Sequence, residues 1–475
     1  VAKVLFIIHD NYQEDNRFPL GIAYLAAVLK KEGIEVAAYS MDIFHHTKED
    51  LAKFLQDNEF DIIGLSFTAA RFNNPIKELC KIINENKKKA WFVLGGHGPS
   101  PIPDFMLRET KADIILIGEA EETISQLVFC KKARGQGIEK IPNLIYREKS
   151  SIKSTFRQYP MLSLDRLPYP LWELFPMQKY ANGLQFIGHE PTDKYMQIIT
   201  SRGCVNRCSF CYRMERGYRM RSISDVVKEM NMLNDYYGIN YFEILDEMFV
   251  MDKRRLQEFQ NELIRYNLKI KYICDGRVDK IDEEILELLK ATGCKFLNFG
   301  FESANQNVLN LMRKHTTVEQ NIRAADLTKS YDISLGLNVI WNNEGDTEAT
   351  LKENAAFLKK YNTYYQLRTI KPVTPYPGSD LYSQAIREGL LEGPKDFFDK
   401  FQNADLITVN FTNMTEADMY KALFEVNRDL ILDHYEHTTK NETEALALIE
   451  KFYRLYFEGD INFRGVRDYS RKTNA

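Results

Sequence analysis

The stretch ITSRGCVNRCSFCYR, residues 199–213, follows an apolar run and crowds Cys204, Cys208 and Cys211 into eight positions, with three and then two residues between successive sulfurs. Three thiolates on one short loop can hold three irons of a 4Fe-4S cube and leave the fourth iron open to an exogenous ligand. A structural zinc site takes four protein ligands instead, usually from paired Cys-x2-Cys knuckles. The remaining cysteines, Cys80, Cys130, Cys274 and Cys294, show no such pairing and read as buried thiols. The triplet is therefore expected to be the metal-ligand set and the catalytic centre, holding a 4Fe-4S cluster rather than zinc.

Around this loop the chain alternates strands with amphipathic helices. From Tyr195 onward MQIITS, YFEILD, KYICDG, KFLNFGF, ISLGLNVIW and YQLRTIKP read as strands, with ISDVVKEMNMLNDYYG and DEEILELLKATG among the helical stretches between them. Six such units over 195–385 predict an open or partial barrel with functional residues at the carboxyl ends of its strands. Upstream, KVLFII, IEVAAY, DIIGLSF, AWFVLGG and ADIILIG recur at intervals of roughly 20 to 30 residues, the signature of a doubly wound parallel α/β sheet; it spans 1–149. PLGIAYLAAVLKKEG opens with Pro19 and closes with Gly33, the asymmetry typical of a helix. Pro160, Pro168, Pro170, Pro176 and Pro191 mark an ordered connector over 150–194. MTEADMYKALFEVNRDLILDHYEH and TEALALIEKFYRLYFEG predict a helical C-terminal domain over 386–475.

The 475 residues accommodate several domains, and 44% apolar content is enough to give each a core. Lys plus Arg number 63 against 67 Asp plus Glu, a formal charge of −4. Nucleic-acid binding through a strongly basic surface is thereby excluded. No window reaches about 18 uninterrupted apolar residues, so no membrane span is expected, and VAKVLFIIHDNYQEDNRF turns acidic where a signal peptide would need a small-residue cleavage site. Seven sparse cysteines, an odd number, suit a reduced compartment. A cytoplasmic location is the resulting expectation.

The Cys-x3-Cys-x2-Cys triplet, with aromatic Phe210 before its last cysteine, resembles the radical S-adenosylmethionine (SAM) enzymes. FEILDEMF, DGRVD, LNFGFES and TPYPGSDLY extend the likeness over roughly residues 195 to 385. The resemblance implies that SAM chelates the open iron through its amino and carboxylate groups, and that one electron splits its sulfonium to give a 5′-deoxyadenosyl radical. It further implies backbone contact from Phe210 to the adenine. Asp246, Glu247, Arg277, Glu302, Ser303 and Tyr376 become cofactor-binding candidates; an arginine suits a fork to the SAM carboxylate. The bland alternative for each charge is a salt-bridged loop residue. Asp246-Glu247 also stands where many relatives carry Asp-Asp or Gly-Gly-Glu.

Ser66 ends the third strand, and 26 residues, Ala69 to Leu94, precede Gly95-Gly96 at the end of the fourth. This resembles the Ser-x-Leu, x26 to x28, Gly-Gly signature of cobalamin-binding domains, with Thr68 where that family often has Leu. RFPLGIAYLAAVLKKEG and ADIILIGEAEET add to the likeness, and the domain order matches cobalamin-binding domains fused ahead of radical SAM barrels. Small residues at adjacent strand ends leave a slot for the nucleotide tail of the corrinoid. Ser66, Thr68, Gly95, Gly96, His97, Gly118 and Glu119 are the implied cobalamin contacts. The first strand runs into HDNYQEDN with no Asp-x-His-x-x-Gly loop, so no histidine ligand to cobalt is expected. The lower face is open, water-bound or covered from the loop Asn11 to Phe18. His9, His45, His46 and His97 read as hydrogen-bonded loop histidines, His434 and His437 as a solvated face. The arginines of YRMERGYRMRS read as a solvated basic loop, or as screening for the cluster or an anionic substrate.

The combined resemblance is to a cobalamin-dependent radical SAM enzyme. It implies methylation of an unactivated carbon, in which the deoxyadenosyl radical abstracts hydrogen and methylcobalamin delivers the methyl group. Radical rearrangement or oxidative cyclisation without methyl transfer is the alternative within the class; a non-catalytic cobalamin- or metal-binding regulatory module is the alternative outside it. The implied partners are a small-molecule substrate lying between the cofactors and an electron donor such as flavodoxin or ferredoxin, under anaerobic conditions. Trp172, Phe175, Trp341 and Tyr376 are candidate liners of a radical-protecting pocket, with plain core as the alternative.

Overall fold

The apolar runs of the N-terminal third become β1 (Lys3–Ile8), β2 (Glu35–Ser40), β3 (Ile62–Ser66), β4 (Trp91–Gly95) and β5 (Ile114–Leu116), all pairing in parallel in the order β2-β1-β3-β4-β5. The computed structural model describes residues 2–11, 17–160, 163–184 and 186–463. Residues 12–16 of the loop from Asn11 to Phe18, 161–162 and 185 of the connector, and 464–475 of the C-terminal helical stretch lie outside the described residues. The strand order is flavodoxin-like: it reverses beside β1, and ligands of such sheets bind at the carboxyl ends of the strands near that point. Val4, Leu5, Ile62, Phe92, Leu94 and Ile115 are wholly buried, as continuous hydrophobic runs must be in a sheet covered on both faces. The helix Leu20–Lys31 starts after Pro19 and buries Ala23, Ala26 and Leu29. It ends where Gly33 takes φ +73° and Ile34 N–H returns to Leu29 O at 3.0 Å.

Two antiparallel strands, β6 (Leu144–Glu148) and β7 (Ser151–Ser154), extend this sheet past residue 149. β7 is mostly exposed and carries serine and lysine, so it leaves no hydrophobic alternation to read.

The second sheet takes its six strands in chain order: β8 (Tyr195–Ile198), β9 (Tyr241–Ile244), β10 (Lys271–Gly276), β11 (Cys294–Glu302), β12 (Ser334–Trp341) and β13 (Lys371–Pro372), an open half-barrel. Leu297, Phe299 and Phe301 of β11 and Leu335, Leu337 and Val339 of β12 are buried, while the alternate residues Phe296, Asn298 and Asn338 keep access to solvent. One face therefore packs under helices and the other stays open. Asp252 and Asp282 cap the helices Lys253–Arg265 and Glu283–Ala291, each accepting from the N–H three residues on. Only the last two residues of YQLRTIKP join the sheet. Asn427, on the helix Glu416–His437, binds the N–H and C=O of Ile370 at 2.8 and 3.0 Å. A side-chain amide thus satisfies the backbone groups a neighbouring strand would have taken.

The chain divides into two units, one of residues 1–184, 195–197 and 213–225, the other of 185–194, 198–212 and 226–475. No described helix is long and apolar enough to cross a membrane.

Candidate functional site

The cysteine loop leaves the end of β8 and is anchored by neighbours at both ends. Asp246, just past β9 and 1% exposed, accepts from Thr200 N–H at 2.7 Å, the Thr200 hydroxyl at 2.5 Å and the Ser201 hydroxyl at 2.6 Å. Burial raises its pKa, and these hydrogen bonds oppose the rise. Arg255 donates to the Thr200 carbonyl at 3.1 Å and to its hydroxyl at 3.2 Å. Further on, Ser209 N–H donates to Met312 O at 2.9 Å and Ser209 O accepts from Leu381 N–H at 2.8 Å. Between these anchors Cys208 is buried, Cys204 half-buried and Cys211 exposed, all free of disulfides. Asn206 points its backbone N–H and its side-chain amide at Cys204 Sγ, at 3.5 and 3.4 Å, and Met248 Sδ lies 3.3 Å from the same sulfur.

A charged group stands beside Cys208. Lys314 Nζ donates to Glu302 Oε1 at 2.9 Å and sits 6.0 Å from the centroid of the Phe210 ring. Arg277 donates from Nε to Asp279 at 2.8 Å and from a terminal nitrogen to Lys314 O at 3.4 Å. Glu302 ends β11 at φ +61°, a left-handed conformation that side chains other than glycine adopt at a cost. Burial raises the Cys208 thiol pKa, while Lys314 and Arg277 pull it down. Soft thiols with N–H donors and cations facing their sulfurs are a donor set suited to iron and sulfide. Among the described residues no three Cys, His, Asp or Glu side chains converge as on one metal ion. A cube takes one cysteine sulfur per iron, so its ligands stand apart. The residues present fit a cluster held by Cys204, Cys208 and Cys211.

Of the residues expected to meet SAM, Phe210, Arg277 and Glu302 gather around Lys314. Asp246 is instead spent on the loop, and Ser303, 1% exposed, accepts from Asn305 N–H at 3.1 Å and donates to Asn354 at 3.5 Å. Glu247 is exposed. Tyr376 packs on Phe397 and Phe401 at 6.2 and 5.7 Å. Trp341 is wholly buried with Nε1 on Thr347 O at 3.0 Å, and Trp172 and Phe175 pack around Phe18; these three are core. Lys314, Met248, Thr200 and Arg255 carry no spacing signal. Asn206 lies within the cysteine motif, where its closeness to two sulfurs was the available clue.

In the first sheet Ser66 and Gly95 are partners across β3 and β4. At Gly96, with φ +91°, an added Cβ would stand 2.4 Å from Ser66 Oγ. At Gly98 it would stand 2.7 Å from the Phe67 ring and 2.9 Å from Phe67 O. Gly118, at φ +78°, donates to Ser100 Oγ at 3.1 Å. The carboxyl ends of β3, β4 and β5 thus form a glycine-rich cradle, closed over Gly96, Gly98 and Gly118 by Ser66, Phe67 and Glu215 and open at Gly95, where a corrinoid tail can approach the backbone. Thr68 and His97 are exposed; protein crowding around His97 lowers its pKa. Glu119 pairs with Arg219, one oxygen at 3.1 Å and the other closer still. Beside Gly118, Arg157 joins Ile117 O at 3.0 Å to Glu215 at 3.2 Å. Arg219 and Arg221, the latter on Asp225 at 2.7 Å, are therefore ion-paired rather than part of a solvated basic loop.

The histidines divide. His9 is half-buried, with a pKa lowered to about 4 by desolvation and then by Arg71, and its Nδ1 has no hydrogen-bond partner among the described residues. His45 lies 2.7 Å from Asp10, and His46 stacks on Tyr39 at 4.8 Å. His434 is buried, which corrects the reading of a solvated face at that residue, while His437 is exposed and stacks on Tyr364 at 4.2 Å.

Comparison with known proteins finds a domain match in each region of the chain. Residues 15–128 match the B12 binding domain and residues 198–358 the Radical SAM superfamily. An uncharacterized methyltransferase of Pyrococcus horikoshii is 30% identical over 384 residues, 78% of this chain and 79% of its own. The anaerobic magnesium-protoporphyrin IX monomethyl ester cyclase of Rubrivivax gelatinosus is 29% identical over 401 residues, 80% of this chain and 70% of its own. The radical SAM methyltransferase TsrM of Kitasatospora setae, solved with cobalamin and a 4Fe-4S cluster, superposes with a TM-score of 0.67 at 18% identity, covering 82% of this chain and 75% of that one, a likeness of fold. The chain belongs to the radical SAM superfamily, among the members that carry a B12-binding domain ahead of the radical SAM domain.

Proposed function

We propose that this protein transfers a methyl group from SAM to an unactivated carbon of a small molecule, in the cytoplasm and with a flavodoxin or ferredoxin as electron donor. The observation that carries this reading is the presence in one chain of a three-thiol loop and a strand-end glycine cradle, in a relative of a methyltransferase. When bound, the cluster supplies one electron to SAM and the corrinoid carries the methyl group. The chain's own residues do the holding. Cys204, Cys208 and Cys211 bind iron; Asp246, Thr200 and Arg255 fix the start of their loop. Phe210, Arg277 and Glu302 face SAM, with the Arg277 guanidinium suited to a carboxylate. Ser66, Gly95 and Gly96 leave room for the corrinoid tail.

The test is anaerobic turnover with SAM deuterated in its methyl group and a panel of candidate metabolites, read by mass. A product carrying the three deuterons supports methyl transfer. Oxidative cyclisation is the second reading, favoured by the cyclase relative; it would give 5′-deoxyadenosine and a product with no added deuterium. A protein fully loaded with iron and corrinoid that releases no 5′-deoxyadenosine would refute both readings and leave a binding module.

A further inference from the structure

We infer that Lys314 is a positioning residue for the cluster: its ammonium, held by Glu302 against the face of Phe210, keeps a positive charge beside the Cys208 sulfur and eases the uptake of an electron. Lys314 is 8% exposed and Glu302 7%, and burying an ion pair costs desolvation that a pair of apolar side chains would avoid. The surroundings are shaped around it. A Cβ at Gly300 would stand 2.3 Å from Glu302 Oε1 and 2.8 Å from Lys314 Nζ, so the strand is bare where the pair passes. Glu302 adopts its left-handed backbone at the same place.

The lysine is also tied to the cysteine loop through the backbone. Met312 O takes the Ser209 N–H, and Arg277 donates to Lys314 O. The ammonium stands over the ring of Phe210, between Cys208 and Cys211 in the loop, 6.0 Å from its centroid. Taking a cube from the 2+ to the 1+ state adds one electron and one negative charge, which a nearby cation stabilises. This role rests on cluster binding by the three cysteines, and iron content reports that binding separately.

The experiment is an anaerobic titration with dithionite and viologen mediators, followed by paramagnetic resonance, on reconstituted wild type, K314Q, K314R and E302Q. In K314Q the reduced-to-oxidised ratio at a given potential should fall about tenfold, equivalent to about 59 mV for a one-electron couple. K314R should stay near wild type. E302Q, which removes the counter-charge, should move the ratio the opposite way, a reversal that loosened packing would not produce. An unchanged ratio in fully iron-loaded K314Q, or the same direction of shift in K314Q and E302Q, overturns the inference. Should K314Q fail to retain iron, E302Q decides alone: a raised ratio supports the role, an unchanged or lowered one overturns it. Wild type that takes up no iron overturns the cluster reading and the lysine's role with it.

Discussion

Replacing Gly95 by leucine is expected to expel the corrinoid while leaving the fold and the iron in place. A Cβ at Gly95 meets nothing closer than Leu116 Cβ and O, both at 3.9 Å, an ordinary contact. The cost to the free protein should then stay within about 1 kcal/mol. The neighbouring glycine behaves differently. Gly96 sits at φ +91° with Ser66 Oγ 2.4 Å from the place of an added Cβ. Gly96→Ala therefore carries the left-handed penalty of about 1–2 kcal/mol as well as the clash, and should lower the melting temperature. In Gly95→Leu the side chain fills space proposed for the nucleotide tail. Overfilling a matched site costs about 1–3 kcal/mol, a loss of roughly fivefold to somewhat over a hundredfold in affinity at 1.4 kcal/mol per decade. The assay is gel filtration after incubation with hydroxocobalamin, with corrinoid absorbance and iron measured per chain and melting followed without corrinoid. Wild-type corrinoid retention in Gly95→Leu would refute the placement of the slot, as would joint loss of corrinoid and iron.

Three further outcomes follow from the geometry. Asp246→Ala strands the Thr200 and Ser201 donors, at about 1–3 kcal/mol per buried unmet group; reconstituted iron per chain and urea stability should both fall, and Asp246→Asn should lose less of each. Asn427→Ala orphans the backbone of Ile370 and the Tyr456 hydroxyl, 3.1 Å from the amide, so the urea midpoint should drop by the equivalent of about 2–4 kcal/mol; an unchanged midpoint would show that the edge strand needs no such support. Asp42 is 2% exposed and burial pushes its pKa up to about 6, against the pull of the Tyr180 hydroxyl. Its folded pKa lies above its unfolded value, so its contribution is full well below pH 4 and is lost as pH rises through about 6, by about 3 kcal/mol in all. His9, lowered to about 4, acts in the opposite sense over the same window. The difference in stability between Asp42→Asn and wild type should thus grow by about 2 kcal/mol from pH 4 to 6; urea curves that stay parallel across that range would contradict the assignment.

Much of the architecture was legible because parallel strands announce themselves. The continuous apolar run KVLFII coincides with β1, since burial on both faces leaves little choice of residue, and KYICDG coincides with β10, whose Tyr272, Ile273 and Cys274 are buried. YQLRTIKP shows where this fails: its apolar pattern is real, but Asn427, 57 residues away, satisfies its backbone, and no local pattern encodes a distant amide. β7 failed for the opposite reason, being too exposed to need apolar residues. At the site, the cysteine spacing is local and could be read. Lys314 comes to Cys208 only through the packing of the segment after β11, and nothing in LMRKHTT distinguishes it from an exposed lysine. Asp246 and Glu119 were recognised as charged strand-end residues, yet their partners, Thr200 and Arg219, lie 46 and 100 residues away.

The most direct test is paramagnetic resonance on protein purified and reconstituted without oxygen, reduced with dithionite, and recorded before and after SAM is added. The expected result is an iron-sulfur signal that shifts on addition of SAM and is missing when Cys208 is replaced by alanine. A spectrum with no paramagnetic iron, or one that SAM leaves unaltered, would contradict the reading of these three cysteines as the grip on a cube with one open iron.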